Sequence, residues 1–197
     1  MKTGINQQIV RPARCLTIFA LSAVLALMSL VLTKHSMAAG ASAINRDVDI
    51  ALQQLYASTP VAKKMAGIAK GILVFPEIIK GGFIIGGQYG EGALRVGSKT
   101  RGYYRTVAAS YGLQAGAQKF GYALFFLSDA DLKYLKNSGG WEVGVGPSVV
   151  VMDEGMARSF STTTARSGVY AFFFDQKGLM AGLGIQGSKI TEIQPDK

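Results

Sequence analysis

The chain has 197 residues and a formal charge of +9, which makes one domain with a substantial core the default. Its one cysteine, Cys15, and one histidine, His35, both fall in the first forty residues. The remainder therefore cannot form disulfides, Cys/His zinc sites, or Cys–His or Ser–His catalytic pairs.

Lys2, Arg11 and Arg14 precede an uncharged run from Cys15 to Thr33. Small residues follow at Ser36-Met37-Ala38 and Ala41-Ser42-Ala43. A basic start, an apolar stretch and an A-x-A-like site read as a secretory signal over residues 1–38, with cleavage after Ala38 or Ala43. The expected destination is the periplasm or cell envelope. The apolar run is long enough for an uncleaved inner-membrane anchor to be the alternative. A lipoprotein cysteine would follow the apolar run, whereas Cys15 begins it. Lys2, Arg11, Arg14 and Lys34 leave with the leader, so 17 basic residues face 12 acidic ones, +5, in the rest. Mild basicity suits an anionic surface, phospholipid rather than nucleic acid for an exported chain. Solubility alone accounts for it as well.

Ile44, Val48, Ala51, Leu52, Leu55 and Tyr56 recur at three and four residues. They predict an amphipathic helix over Asn45–Ser58, with Asn45 as N-cap. Thr59 and Pro60 open a second short helix with Val61, Met65, Ile68 and Ala69 inward and Lys63, Lys64 and Lys70 outward, ended by Gly71. A lysine-bearing amphipathic helix can lie on a membrane. Its apolar residues suffice for one docking face, which favours packing on the sheet.

The stretch Gly71–Val96 is dense in glycine and aliphatics. A short strand, Ile72–Phe75, is expected to stop at Pro76, and Ile78–Tyr89 to form another. From Phe83, one alternating set is Gly82, Ile84, Gly86, Gln88, Gly90, Gly92 and Leu94. Alternation puts these on one face of a strand. A glycine face implies a close neighbour or a bend: a helix, a second sheet layer or an acyl chain. Neither G-x-G-x-x-G nor a P-loop is present, which argues against nucleotide binding. After a turn at Ser98-Lys99-Thr100, Gly112, Gln114, Gly116 and Gln118 repeat the Gly/Gln face. It recurs at Gly144 and Gly146, and again at Gly182, Gly184 and Gln186.

Tyr122–Leu127 reads as an apolar strand and Ser128 as the cap of a short helix near 129–135. Strands over Trp141–Val145, Ser148–Asp153, Val169–Phe174, Leu179–Gln186 and Lys189–Ile193, and an exposed strand or loop at Ser161–Arg166, complete the reading, with a hairpin turn at Asp175–Gly178. The expected class is α+β: N-terminal helices packed on a curved, mostly antiparallel sheet or open barrel.

Glu91, flanked by glycines, and Glu142, beside the only tryptophan, are the conspicuous carboxylates. A carboxylate pair could cleave a glycosidic bond. The alternative pairs one Glu with Arg95 or Arg105 and leaves the other in solvent. Ser161–Thr164 offers hydroxyls without a general base. Phe125-Phe126 and Phe172-Phe173-Phe174 each turn an aromatic outward, toward lipid or under a helix.

Four blocks carry a resemblance: LVFPEIIKGGFIIGGQYGEGALRVG, GYYRTVAASYGLQAGAQ, GWEVGVGPSVVVMDEG and GLMAGLGIQGSKITEI. In this order they resemble a bacterial member of the SYLF lipid-binding domain family, also described as actin-binding in yeast proteins. The resemblance covers Ile44–Ile193, a single domain. It implies affinity for anionic lipids, phosphoinositides or phosphatidic acid in eukaryotic members, and no catalytic motif or cofactor. Eukaryotic relatives carry an amphipathic N-terminal extension where this chain has a signal sequence. The candidate headgroup ligands are Lys63, Lys64, Lys70, Lys80, Arg95, Arg101 and Arg105. The competing expectation is a scaffolding envelope protein that forms homo-oligomers through exposed strand edges, without lipid preference. An outer-membrane barrel fits less well, given the leading helices and bare glycine face.

Overall fold

The computed structural model describes residues 40–152, 168–178 and 187–196, and only the backbone at 83, 84 and 110–115. The expected leader, the strand or loop at 161–166, the strand at 179–186, and the hydroxyls of Ser161–Thr164 lie outside the described residues. The class is α+β, with the N-terminal helices on a mixed sheet that curls into a half-barrel.

Helix α1 spans Ala41–Ser58 and buries Ile44, Val48, Ala51 and Leu55, one stripe at helical spacing. It starts earlier than the sequence suggests. Gly40 occupies the N-cap position, and the Ala41 amide donates to the Asp196 carbonyl at 3.0 Å. Asn45 therefore lies inside the helix, where its side chain serves another purpose described below. Helix α2, Pro60–Ala66, opens on proline and buries Val61, Ala62 and Met65. It closes at Gly67 rather than Gly71, which is the first residue of the sheet.

Strands β1 (Gly71–Val96) and β2 (Lys99–Phe126) form one very long antiparallel hairpin, closed by a tight turn at Gly97-Ser98. Gly97 has φ +60°, the left-handed conformation that such a turn requires at its first position and that glycine takes without strain. Pro76 does not stop β1. It falls in a register shift between Phe75 and Ile78, where the missing N–H costs no ladder bond. Further shifts follow at Phe83/Ile85 and Leu94/Arg95.

The other strands attach along β2. Strand β5 (Val169–Gly178) pairs with residues 118–126, and β6 (Lys189–Ile193) with residues 103–107. Strand β3 (Trp141–Glu142) pairs with β6, and β4 (Val149–Val151) lies parallel to β5. Between these attachments, the middle of the hairpin has no third strand among the described residues. The turn expected at Asp175–Gly178 is a continuation of β5, with Asp175 at φ +50°. Helix α3, Asp129–Asn137, is capped by Ser128, whose hydroxyl accepts from the Asp131 amide at 3.1 Å.

Two cores result. Inside the curl, Leu73, Phe75, Ile78, Leu94, Tyr104, Phe120, Tyr122, Phe126 and Trp141 meet, joined by Leu132 and Leu135 of α3. Outside it, α1 and α2 cover Ile72, Val74, Ala93, Ala123, Phe125 and Phe172. The Phe runs thus serve both cores. Phe125 and Phe172 meet edge to face at 5.1 Å under the helices, while Phe173 joins Phe120 and Tyr122 inside.

The bare face now has an explanation. A Cβ on Gly92 would sit 1.9 Å from the Val74 carbonyl oxygen. One on Gly90 would sit 2.7 Å from the Glu77 carbonyl and 2.3 Å from the Ile78 side chain. The second half of β1 therefore lies against the backbone of its own first half. Of the three neighbours considered for this face, a second sheet layer is the one that occupies Gly90 and Gly92.

Candidate functional site

The seven candidate cations do not converge. Lys63 and Lys64 project from the exposed side of α2, and Lys70 from the loop before β1. Their apolar neighbours Val61, Ala62 and Met65 are buried against α1 and the sheet, so α2's apolar stripe is occupied. Lys80 lies half-buried on β1, opposite Gln118. Arg101 is exposed near the start of β2. None of these five makes an ion pair with a described residue.

Arg95 and Arg105 are differently placed. Arg95, with a side chain 11% exposed, donates from Nη2 to Asp49 Oδ1 at 2.7 Å and to the Asn45 carbonyl at 3.1 Å. Its Nη1 donates to Thr100 Oγ1. The Thr100 hydroxyl donates to Asn45 Oδ1 at 2.7 Å, and Asn45 Nδ2 donates to the Tyr103 hydroxyl at 2.8 Å. This network fastens α1 to the turn end of the hairpin. The sequence offered no sign of it, because the helix residues Asn45 and Asp49 lie some 50 residues from the strand residues that they meet.

Arg105 belongs to a smaller cluster with Glu91 and Tyr89. The Glu91 carboxylate is 8% exposed and accepts from the Tyr89 hydroxyl at 2.6 Å and from Arg105 Nη2 at 3.1 Å. The guanidinium also lies 5.5 Å from the centre of the Tyr89 ring, within cation–π range. Burial first, then the neighbouring carboxylate, pushes the Tyr89 phenol above its usual range. The hydrogen bond to Glu91 likewise holds Arg105 protonated.

Glu142 sits exposed on β3. The ladder runs Glu142, Lys189, Val107, Tyr89 across four strands. That separates the strands bearing Glu142 and Glu91 by three spacings, about 14 Å along the sheet. Glu91 is instead the Arg105 partner anticipated as the alternative, and Glu142 is the solvent-facing one.

Of the Gly/Gln face, Gln88, Gly90 and Gly92 of β1 line the inside of the curl. Gln88 is buried there and donates to the Ser188 hydroxyl at 3.0 Å. The buried Tyr122 hydroxyl donates to Thr106 at 3.1 Å. Gln118 is also buried, and its carbonyl oxygen has no hydrogen-bond partner among the described residues. The interior thus changes from aromatic at one end to amide and hydroxyl toward the bend of the hairpin.

That bend carries a feature that periodicity alone did not single out. Ile85, Gly87, Tyr89 and Glu91 share the outer face with Ala109, Val107 and Arg105, in regular register. Ile85 is 69% exposed, Tyr89 41% and Val107 40%. Farther along the same hairpin the outer face is covered by α1 at Ala93. The Gly/Gln pattern drew attention to the inner face, whereas the large apolar residues left uncovered are on the outer one.

Groups of three or more acidic, Cys or His side chains able to hold a metal ion do not occur among the described residues. No described helix is long and apolar enough to cross a membrane. Comparison with protein-family models and with curated proteins finds no match to this chain.

Proposed function

We propose that residues 44–193 form an exported, envelope-associated domain that binds phospholipid, prefers anionic lipids, and catalyses no reaction. The observation that carries this reading is the state of the cations. Lys63, Lys64, Lys70 and Arg101 are exposed, and with Lys80 they lack an acidic partner among the described residues. A cation already neutralised by a neighbouring carboxylate has little left to offer a phosphate, whereas these five have no such neighbour among the described residues. The resemblance to the SYLF family supplies the ligand class. Arg95 and Arg105 act differently in this reading: the first fastens α1, and the second is shared with Glu91.

Vesicle sedimentation tests it. The full chain should pellet more with vesicles containing phosphatidic acid or phosphatidylglycerol than with phosphatidylcholine alone. Equal pelleting on both would remove the charge-driven reading. Native mass spectrometry of the purified protein should also retain a co-purified phospholipid.

A further inference from the structure

We propose that the bent end of the β1–β2 hairpin enters the headgroup–acyl boundary of an anionic phospholipid surface, with Ile85 deepest and Lys189 at phosphate level. This rests on the lipid-binding reading above and adds where and how the contact is made.

The outer face of the hairpin is graded. At its covered end, Ala93 packs under α1. Next come the paired Glu91 and Arg105, then the cross-strand pair Tyr89 and Val107, then the small pair Gly87 and Ala109, and last Ile85 at the bend. Along β1 and β2 the charged pair thus stops one step before the exposed apolar residues begin, and Lys189 on β6 stands level with Tyr89 and Val107. An interfacial element needs this order: apolar at the tip, an aromatic hydroxyl at the boundary, cations behind it.

Charge complementarity selects an anionic lipid surface as the occupant. Lys189 is the ladder neighbour of Val107 on the side away from Tyr89, and it is exposed. Arg105 stands behind Tyr89. The acid nearest the strip, Glu91, is buried and already bonded to both Arg105 and Tyr89. The exposed acid, Glu142, lies beyond Lys189, farther from the apolar strip. Across the ladder from the strip, a headgroup layer thus meets Lys189 before the exposed Glu142 carboxylate.

The backbone suits the role too. From Ile85 to Leu94 every β1 residue has a ladder partner on β2, so the segment brings paired strands rather than open loop to the apolar boundary. The four steps from Ile85 to Tyr89 span about 13 Å of strand. A tilted strand can thus place Ile85 about 5–10 Å below the headgroups while Tyr89 stays among them.

The test uses the full chain in a Cys15→Ser background, with single cysteines at Ile85→Cys, Val107→Cys and, as control, Val151→Cys on the far strand β4. Each carries an environment-sensitive fluorophore. On vesicles of phosphatidylcholine with phosphatidylglycerol, the Ile85 and Val107 labels should shift to the blue and become protected from aqueous quencher, Ile85 more than Val107. The Val151 label should not change. In unlabelled protein, Lys189→Glu should lower the fraction pelleted at limiting anionic lipid by about tenfold.

Anionic-selective pelleting with no change at Ile85 overturns this inference and leaves the lipid reading intact. Equal pelleting on neutral and anionic vesicles overturns the reading beneath it. A blue shift that grows with protein concentration in the absence of vesicles assigns the strip to a second copy and overturns the lipid contact. A shift without vesicles that is independent of concentration, and lost on deleting residues 1–38, assigns it to the chain's own apolar leader and also overturns it.

Discussion

At the scale of single residues, backbone contact decides what tolerates change. Gly92→Ala places a methyl against the Val74 carbonyl, which belongs to a paired strand and has nowhere to retreat. The expected cost is about 3 kcal/mol in urea denaturation. Gly81→Ala is the control, since its Cβ would meet only the Gly116 carbonyl at 3.7 Å, an ordinary contact. It should change stability by less than about 0.5 kcal/mol. A second residue-scale effect concerns pH. Burial, and then the charge of Glu192, push the Tyr104 phenol from 10.0 up to about 12. Burial raises the Tyr122 phenol as well, opposed by its bond to Thr106. Folding favours the neutral phenol, so this stability is fully present below pH 10. It is lost as pH rises from 10 toward 12. Thermal melts across that window should fall, and Tyr104→Phe should flatten the fall. An unchanged slope in that variant would remove Tyr104 as a cause.

At the scale of elements, the position of α1 depends on a few polar contacts at one end and apolar packing along its length. The bonds of Arg95 to Asp49, the Asn45 carbonyl and Thr100 join helix to hairpin. Arg95→Met keeps much of the side-chain volume and removes every donor. It should destabilise the fold by about 2 kcal/mol and increase amide exchange at the start of α1. Asp49 is 60% exposed, so Asp49→Asn should cost far less. At α3, Ser128→Ala removes the hydroxyl that accepts from Asp131 and should cost about 1 kcal/mol. The helix boundaries show how element and residue interact. Asn45 carries a good capping side chain, yet the chain is already helical four residues earlier. Its amide joins the Thr100 and Tyr103 hydroxyls instead. The same holds for Pro76, whose effect on a lone strand is to end it. In a hairpin this long, pairing on either side carries the strand through a register shift.

At the scale of the whole molecule, charge and shape address different parts of a membrane contact. Unpaired lysines act at a distance that salt shortens, with a screening length of about 10 Å at 0.1 M. Raising ionic strength tenfold should therefore reduce pelleting on anionic vesicles. Replacing Lys63, Lys64 and Lys70 together with Gln should reduce both the pelleting and its salt dependence, measured by sedimentation over a salt series. The triple replacement should not alter unfolding beyond about 1 kcal/mol in total, because all three lysines are exposed and have no ion-pair partner among the described residues. A large loss of stability would mean that they support the helix rather than face a ligand.

The helical stripes of α1 and α2, the Ser128 cap, the alternation along β1 and β2, and the lack of thiol and imidazole after residue 35 were all determined by the sequence itself. Each depends on neighbours a few positions apart, or on composition, and local chemistry is visible in one dimension. What covers the bare face was decided only by the tertiary structure. Gly90 and Gly92 meet residues 74–78 because the strand folds back on itself, and nothing local specifies that partner. The roles of the charged residues were settled in the same way. Arg95, Arg105, Lys63 and Lys64 are all cations in the sequence, but folding brings carboxylates to the first two, and the other two meet none among the described residues. A charge is free or neutralised according to what lies within a few ångströms of it, and that distance exists only once the chain has curled.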